Sequence, residues 1–201
     1  MRKLITICVV TVPMFFVFTV SDVEASINTF AGRSVWEDAV NHNFEEEFFT
    51  DATLNPGISV VTNNGYVDVS GAEGYGAGVW WDRVIPASDP AGPATTTWTF
   101  ADPIVGYGGN WNLAGPGGPG TNIQLYLDGM PVGSEIMNTY AGEFFGVVST
   151  LAFNQVVVTA GSNPGGWCET YTLDNMVYTP EPCTLSLLAF GGLALLRKRR
   201  A

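Results

Sequence analysis

The chain has 201 residues, with 24 Gly, 12 Pro and only 8 Lys plus Arg against 19 Asp plus Glu, which fits one domain with processing segments and argues against a multi-domain assembly. Six of the eight basic residues lie at the two extremes, so residues 26–182 keep only Arg33 and Arg83 against 17 acids, a formal charge of −15. A domain so acidic, without a single Lys, is repelled by phosphate backbones; this excludes nucleic acid as an expected partner and favours cations.

In chain order, Arg2 and Lys3 precede a run over 4–20 in which 13 of 17 residues are apolar, followed by Ser21-Asp22-Val23-Glu24-Ala25. A charged start, an apolar stretch and small or medium residues at Val23 and Ala25 make a secretory signal peptide over 1–25, with cleavage before Ser26. Cys8 leaves with it. Ser34 and Glu37 form a capping-box pattern, and Val35, Trp36, Ala39 and Val40 share one side at helical spacing, so one short helix is expected over 35–41. His42, the only histidine, falls at its end, where a cation suits a helix C-terminus.

Gly, Pro, Thr, Val and aromatics dominate the remainder, and eleven segments read as strands: 43–49, 57–62, 66–70, 79–84, 95–101, 104–111, 122–127, 131–137, 143–149, 153–159 and 168–178. Asn63-Asn64-Gly65 and Asp128-Gly129 supply hairpin turns between their neighbours. The expected fold is all-β, a two-layer antiparallel jelly-roll-like sandwich with one short N-terminal helix over 26–179. A closed barrel is the alternative. Within the last strand Tyr171, Leu173 and Val177 alternate inward and Thr170, Thr172 and Asp174 outward, leaving Asn175 where an apolar residue is expected. Cys168 is the one cysteine of the domain, so no disulfide forms inside it.

The end of the chain carries a second address. After Thr179-Pro180-Glu181-Pro182 and Cys183, residues 184–196 are uncharged with 9 of 13 apolar, and Arg197-Lys198-Arg199-Arg200 follows. As a helix that run is about 20 Å long, short of the roughly 30 Å hydrocarbon core, and the basic cluster holds its end on the cytoplasmic side. Motif, apolar run and basic end, in this order, resemble the PEP-CTERM sorting signal of exported bacterial proteins. That resemblance implies a tail over 180–201 read by the membrane enzyme exosortase, with Pro180, Glu181 and Pro182 as the recognition motif, in bacteria that make extracellular polysaccharide. Membrane contact is then limited to the signal peptide and this tail. Cys183 departs from the commonest form of the signal. Trp36, Phe44-Glu45, Phe145-Gly146-Val147 and Leu173-Asp174-Asn175 also resemble the pieces of a recurrent domain of such carriers, a domain without an assigned activity.

No catalytic motif stands out. A Ser-His-acid triad needs a His, and His42, the only one, falls at the predicted helix end on a polar stretch, where a capping role fits better; one His with one Cys makes no zinc site. Paired carboxylates could serve a polysaccharide hydrolase or lyase, and Glu45 and Glu47 share a strand face, but the Glu-x-Asp-x-x-Glu arrangement of lectin-like glucanases is absent. Calcium takes six to eight oxygen ligands; Asp174 and Asn175 at a strand interruption, with Glu45 or Glu47 from the early strand, are the candidate ligands, and a β-bulge with Asn175 bonded to backbone is the competing account. Carbohydrate stacking is the other candidate. Tyr75, Tyr107 and Tyr140 add to six Trp. Trp98 alternates as a core residue, Trp80 and Trp81 point to opposite faces, and Trp111 stands between Asn110 and Asn112 in the Gly-rich stretch 106–120, so Trp111, Trp80 and Trp81 are the candidate sugar contacts. The expected function is that of an exported, surface-sorted, non-enzymatic protein of a polysaccharide layer, either matrix component or weak carbohydrate binder. A second alternative is a domain that only carries the tail.

Overall fold

The computed structural model describes residues 26–74, 76–90, 92–113, 120–163 and 166–181. The expected signal peptide, Pro182 and the rest of the expected sorting tail, Tyr75 and part of the 106–120 stretch therefore lie outside the described residues. Among the described residues there are ten strands, β1 Ile27–Phe30, β2 Glu45–Glu47, β3 Ile58–Thr62, β4 Tyr66–Asp68, β5 Val79–Val84, β6 Thr96–Asn112, β7 Ile123–Leu127, β8 Met130–Pro131, β9 Ala141–Ala160 and β10 Glu169–Pro180, and one helix, α1 Arg33–Ala39. The chain is all-β and sandwich-like, and its strands join one antiparallel sheet that does not close.

Two long strands make the layers. The first part of β6 pairs with β3 and with the end of β9, which in turn pairs with β7. The second part of β6 pairs with β10 and with the start of β9, which pairs with β1, while β5 joins β10 and β4 joins β5. Both strands cross between layers where their register breaks, β6 between Thr99 and Gly106, where Ala101, Asp102 and Pro103 are exposed. Proline cannot donate to a ladder and belongs at such an irregularity. The sequence places strand ends at these points; the structure instead carries single strands through them.

Facing residues of the two layers fill the space between them. Trp98 of β6 meets Trp80 of β5 edge-on with ring centroids 4.8 Å apart, and Phe100 stands 5.2 Å from Tyr178. Trp98 is a core residue, as its alternation predicts. A smaller cluster lies on the outer face of the second layer, where Trp36 of α1 packs with Phe44, Phe144, Val148 and Val177. Its indole rests where Gly106 and Gly146 leave room: a Cβ on Gly146 would stand 2.7 Å from Trp36 Cδ1 and one on Gly106 3.1 Å from Cζ2. The indole N–H donates to Val147 O at 3.0 Å, anchoring the helix to β9.

Several local expectations are corrected. The helix runs over Arg33–Ala39 with Gly32 as its cap and no side-chain capping bond; Glu37 accepts from Arg33 Nε at 2.8 Å instead of closing a box with Ser34. Asn63-Asn64-Gly65 joins no hairpin, because β3 and β4 belong to different layers. Asp128-Gly129 does join β7 to β8, but β8 has two residues and Ile136 adds only an isolated bridge to Ile123. In β10 the register shifts between Asp174 and Val177, with Asn175 at φ +48°. After that bulge Met176 and Tyr178 enter the main core and Val177 turns outward beneath α1, the reverse of a continuous alternation.

Candidate functional site

The candidate sugar contacts separate sharply. Trp111 is fully buried, its ring 5.5 Å from Tyr171 and its indole N–H donating to Phe145 O at 3.3 Å. It is a core residue and no sugar platform. The stretch around it is not a loop at that point but the end of β6, paired with β10 and β9, so its inward alternation buries it. Trp80 is also core, and Tyr107 is fully buried. Trp81 is different. It faces outward, half-buried, as adjacency to an inward Trp80 requires.

Around Trp81 the register assembles a row. Tyr66, Trp81, Thr172 and Asn112 are directly opposite one another across β4, β5, β10 and β6, and residues so paired share a face. Tyr66 is 40% exposed and its ring lies 5.4 Å from that of Trp81 at 39°. Arg83, two positions along β5, holds its guanidinium 5.9 Å from the Trp81 centroid and donates from Nε to Thr170 Oγ1 at 2.9 Å. At the Tyr66 end the phenol donates to Glu73, which pushes the Tyr66 pKa up to about 12. Asn110 and Asp174 form the next outward pair toward α1. The result is a face with two aromatic rings at its β4 edge and the Arg83 guanidinium, the half-buried Thr170 hydroxyl and the Asn112 amide beside them, Thr172 itself being buried.

The candidate calcium ligands are not brought together in this way. Glu45 and Glu47 do share the inward face, but Glu45 accepts from Tyr178 OH at 2.7 Å and Glu47 accepts from the backbone N–H groups of Phe49 and Asn55 at 2.9 and 2.6 Å. Asp174 lies on the opposite face, where burial and nearby Glu46 raise its pKa, and its carboxylate accepts the N–H of Asn175 at 2.6 Å. Asn175 thus serves the bulge. Among the described residues no three of His, Cys, Asp and Glu gather into a metal-holding group. His42 pairs with Asp38 at 3.2 Å on the surface, and Cys168 is half-buried and free just before β10.

Five further features escaped sequence reasoning. A groove of about 580 Å³ opens between β3 and β4, lined by Leu54, Val60, Thr62, Gly65, Val67 and Trp80; no carboxylate lines it. Behind it Asp82 is fully buried, accepting from Thr62 at 2.9 Å, from Thr96 and from the Arg83 N–H at 2.6 Å, and burial raises its pKa. Glu169 is buried near one end of the sandwich, where loss of water pushes its pKa up to about 7, and it accepts from Asn122 N at 2.9 Å. Trp167, after the sequence Pro164-Gly165-Gly166 that could have marked it, is 80% exposed. A second cavity of about 190 Å³ includes Glu45, Asp102, Phe100 and Tyr178 in its lining; it is below the roughly 300 Å³ at which ligand pockets begin. Neither family models nor curated proteins match the chain.

Proposed function

We propose that this chain is an exported, surface-sorted, non-enzymatic β-sandwich protein that binds carbohydrate weakly within an extracellular polysaccharide layer. The observation that carries the binding half is the accessible pair Tyr66 and Trp81 with Arg83 and Asn112 on the same face. A sugar ring has an apolar face and a polar rim, so a platform for it needs exposed aromatic area next to hydrogen-bonding groups, and aromatic anchors dominate small interfaces. A shallow face without a deep pocket fits weak, repeated contacts along a polymer, where avidity replaces affinity. The sorting half is supported by the basic start, the apolar run and Val23-x-Ala25 at one end, and by Pro180-Glu181-Pro182, the short apolar run and Arg197-Lys198-Arg199-Arg200 at the other. Its partner is an exosortase-type processing enzyme. A glycan-array screen of the purified chain tests the binding half: retention of at least one polysaccharide family is expected, and an array without a single hit overturns it in favour of a domain that only carries the tail.

A further inference from the structure

We infer that the Trp81 face takes a sugar bearing a carboxylate, a uronic acid unit, with its ring on Trp81 and Tyr66 and its carboxylate on Arg83; the inference rests on the carbohydrate reading of the same face. Only two cations stand among the 17 acids of residues 26–182. Arg33 is fully used: Nε meets Glu37 at 2.8 Å, and Nη1 and Nη2 meet Glu46 at 2.8 and 3.0 Å. Arg83 is exposed and, among the described residues, forms no ion pair; its one side-chain hydrogen bond is from Nε to Thr170.

The terminal nitrogens of Arg83 are thus left as a planar fork, the shape that matches a carboxylate with two parallel hydrogen bonds. Stacking on Trp81 and the Thr170 bond hold that fork in place before a ligand arrives, so little side-chain freedom remains to be lost. The surrounding acids give the site a direction. Glu73 stands at the Tyr66 end and Asp174 on the side toward α1, so a ligand carboxylate is repelled everywhere on this face except at Arg83. Thr170 and Asn112, both half-buried, adjoin to meet ring hydroxyls, while Thr172 between them is buried. The domain's net charge opposes a polyanion at long range, but at physiological salt charges more than about 8 Å apart are largely screened, and the local pair decides.

The test is affinity electrophoresis at 0.15 M salt of the purified chain and its Arg83→Gln and Trp81→Ala variants, in gels cast with a polyuronate or with the same polysaccharide after reduction of its carboxyl groups to alcohols. Wild type should be held roughly fivefold more tightly by the polyuronate than by the reduced polymer. Arg83→Gln should fall to the reduced-polymer level on both, and Trp81→Ala should lose both, with melting temperatures near that of the wild type. Equal retention of wild type on the two polymers, or a polyuronate preference that survives Arg83→Gln, overturns the inference and leaves the carbohydrate face standing. Retention on neither polymer also overturns the inference, and the glycan array then decides the carbohydrate reading separately.

Discussion

Two buried side chains expose what individual residues cost this fold. Tyr107 is fully buried, its pKa raised by loss of water, and its hydroxyl has no hydrogen-bond partner among the described residues. An unpaired buried hydroxyl costs about 1–3 kcal/mol. Tyr107→Phe keeps the ring and removes that group, so it should stabilise the protein by about 1 kcal/mol in chemical denaturation; a loss of similar size would mean that the hydroxyl is satisfied after all. Glu169 makes the second case. Its folded pKa near 7 stands above an ordinary value of 4.5, so both states are protonated below about pH 4.5 and only the unfolded state ionises as pH rises toward 7. Stability is therefore lost across that window, by about 3 kcal/mol in all. Glu169→Gln retains an acceptor for the Asn122 N–H and should abolish that loss, melting higher than wild type at pH 7.5 and close to it at pH 4. A variant less stable at pH 7.5 would show that the carboxylate is held charged.

At the scale of elements, the helix and the sheet beneath it depend on missing side chains. Gly146→Ala places a methyl 2.7 Å from Trp36 Cδ1 and 2.8 Å from Phe144 Cε1, and overpacking of this kind costs about 1–3 kcal/mol. The cost should shrink when Trp36 is already Ala, a coupling that a double-mutant cycle reads directly; strict additivity would place the indole elsewhere. Elements with a clear period were legible from residues alone. Val79–Val84 is observed at the bounds that its flanking turn residues predict, and Asp128-Gly129 turns β7 into β8. Asn63-Asn64-Gly65 misled because turn chemistry describes four residues and not the partners of the flanking strands: β3 goes to β6 and β4 to β5. The bulge at Asn175 was visible as an interruption, yet its consequence was not. A one-residue shift flips every later side chain, which is why Val177 lies beneath Trp36 and Met176 in the main core.

For the molecule as a whole, the two-layer all-β form was legible because strand period and turn residues repeat along the chain, while the candidate site was legible only in part. Trp80-Trp81 signalled one inward and one outward ring, and the structure leaves Trp81 outward. Trp111 failed because a Gly-rich neighbourhood suggested a loop where β6 continues as a paired strand. No local pattern could place Tyr66 beside Trp81, since that contact comes from the pairing of β4 with β5. The processing of the ends is open to a single measurement. The intact mass of protein extracted from the cell surface should correspond to a chain that begins at Ser26 and has lost everything after Pro182, and a C-terminus ending in Arg200-Ala201 would contradict sorting. The carbohydrate face, on which the account chiefly stands, is tested most directly by comparing polysaccharide retention and thermal melting in wild type, Trp81→Ala and Trp111→Ala. Trp81→Ala should lose roughly tenfold or more in retention with little change in melting, whereas Trp111→Ala should be destabilised by about 3–5 kcal/mol as a core truncation. Full retention by a folded Trp81→Ala variant would contradict the account.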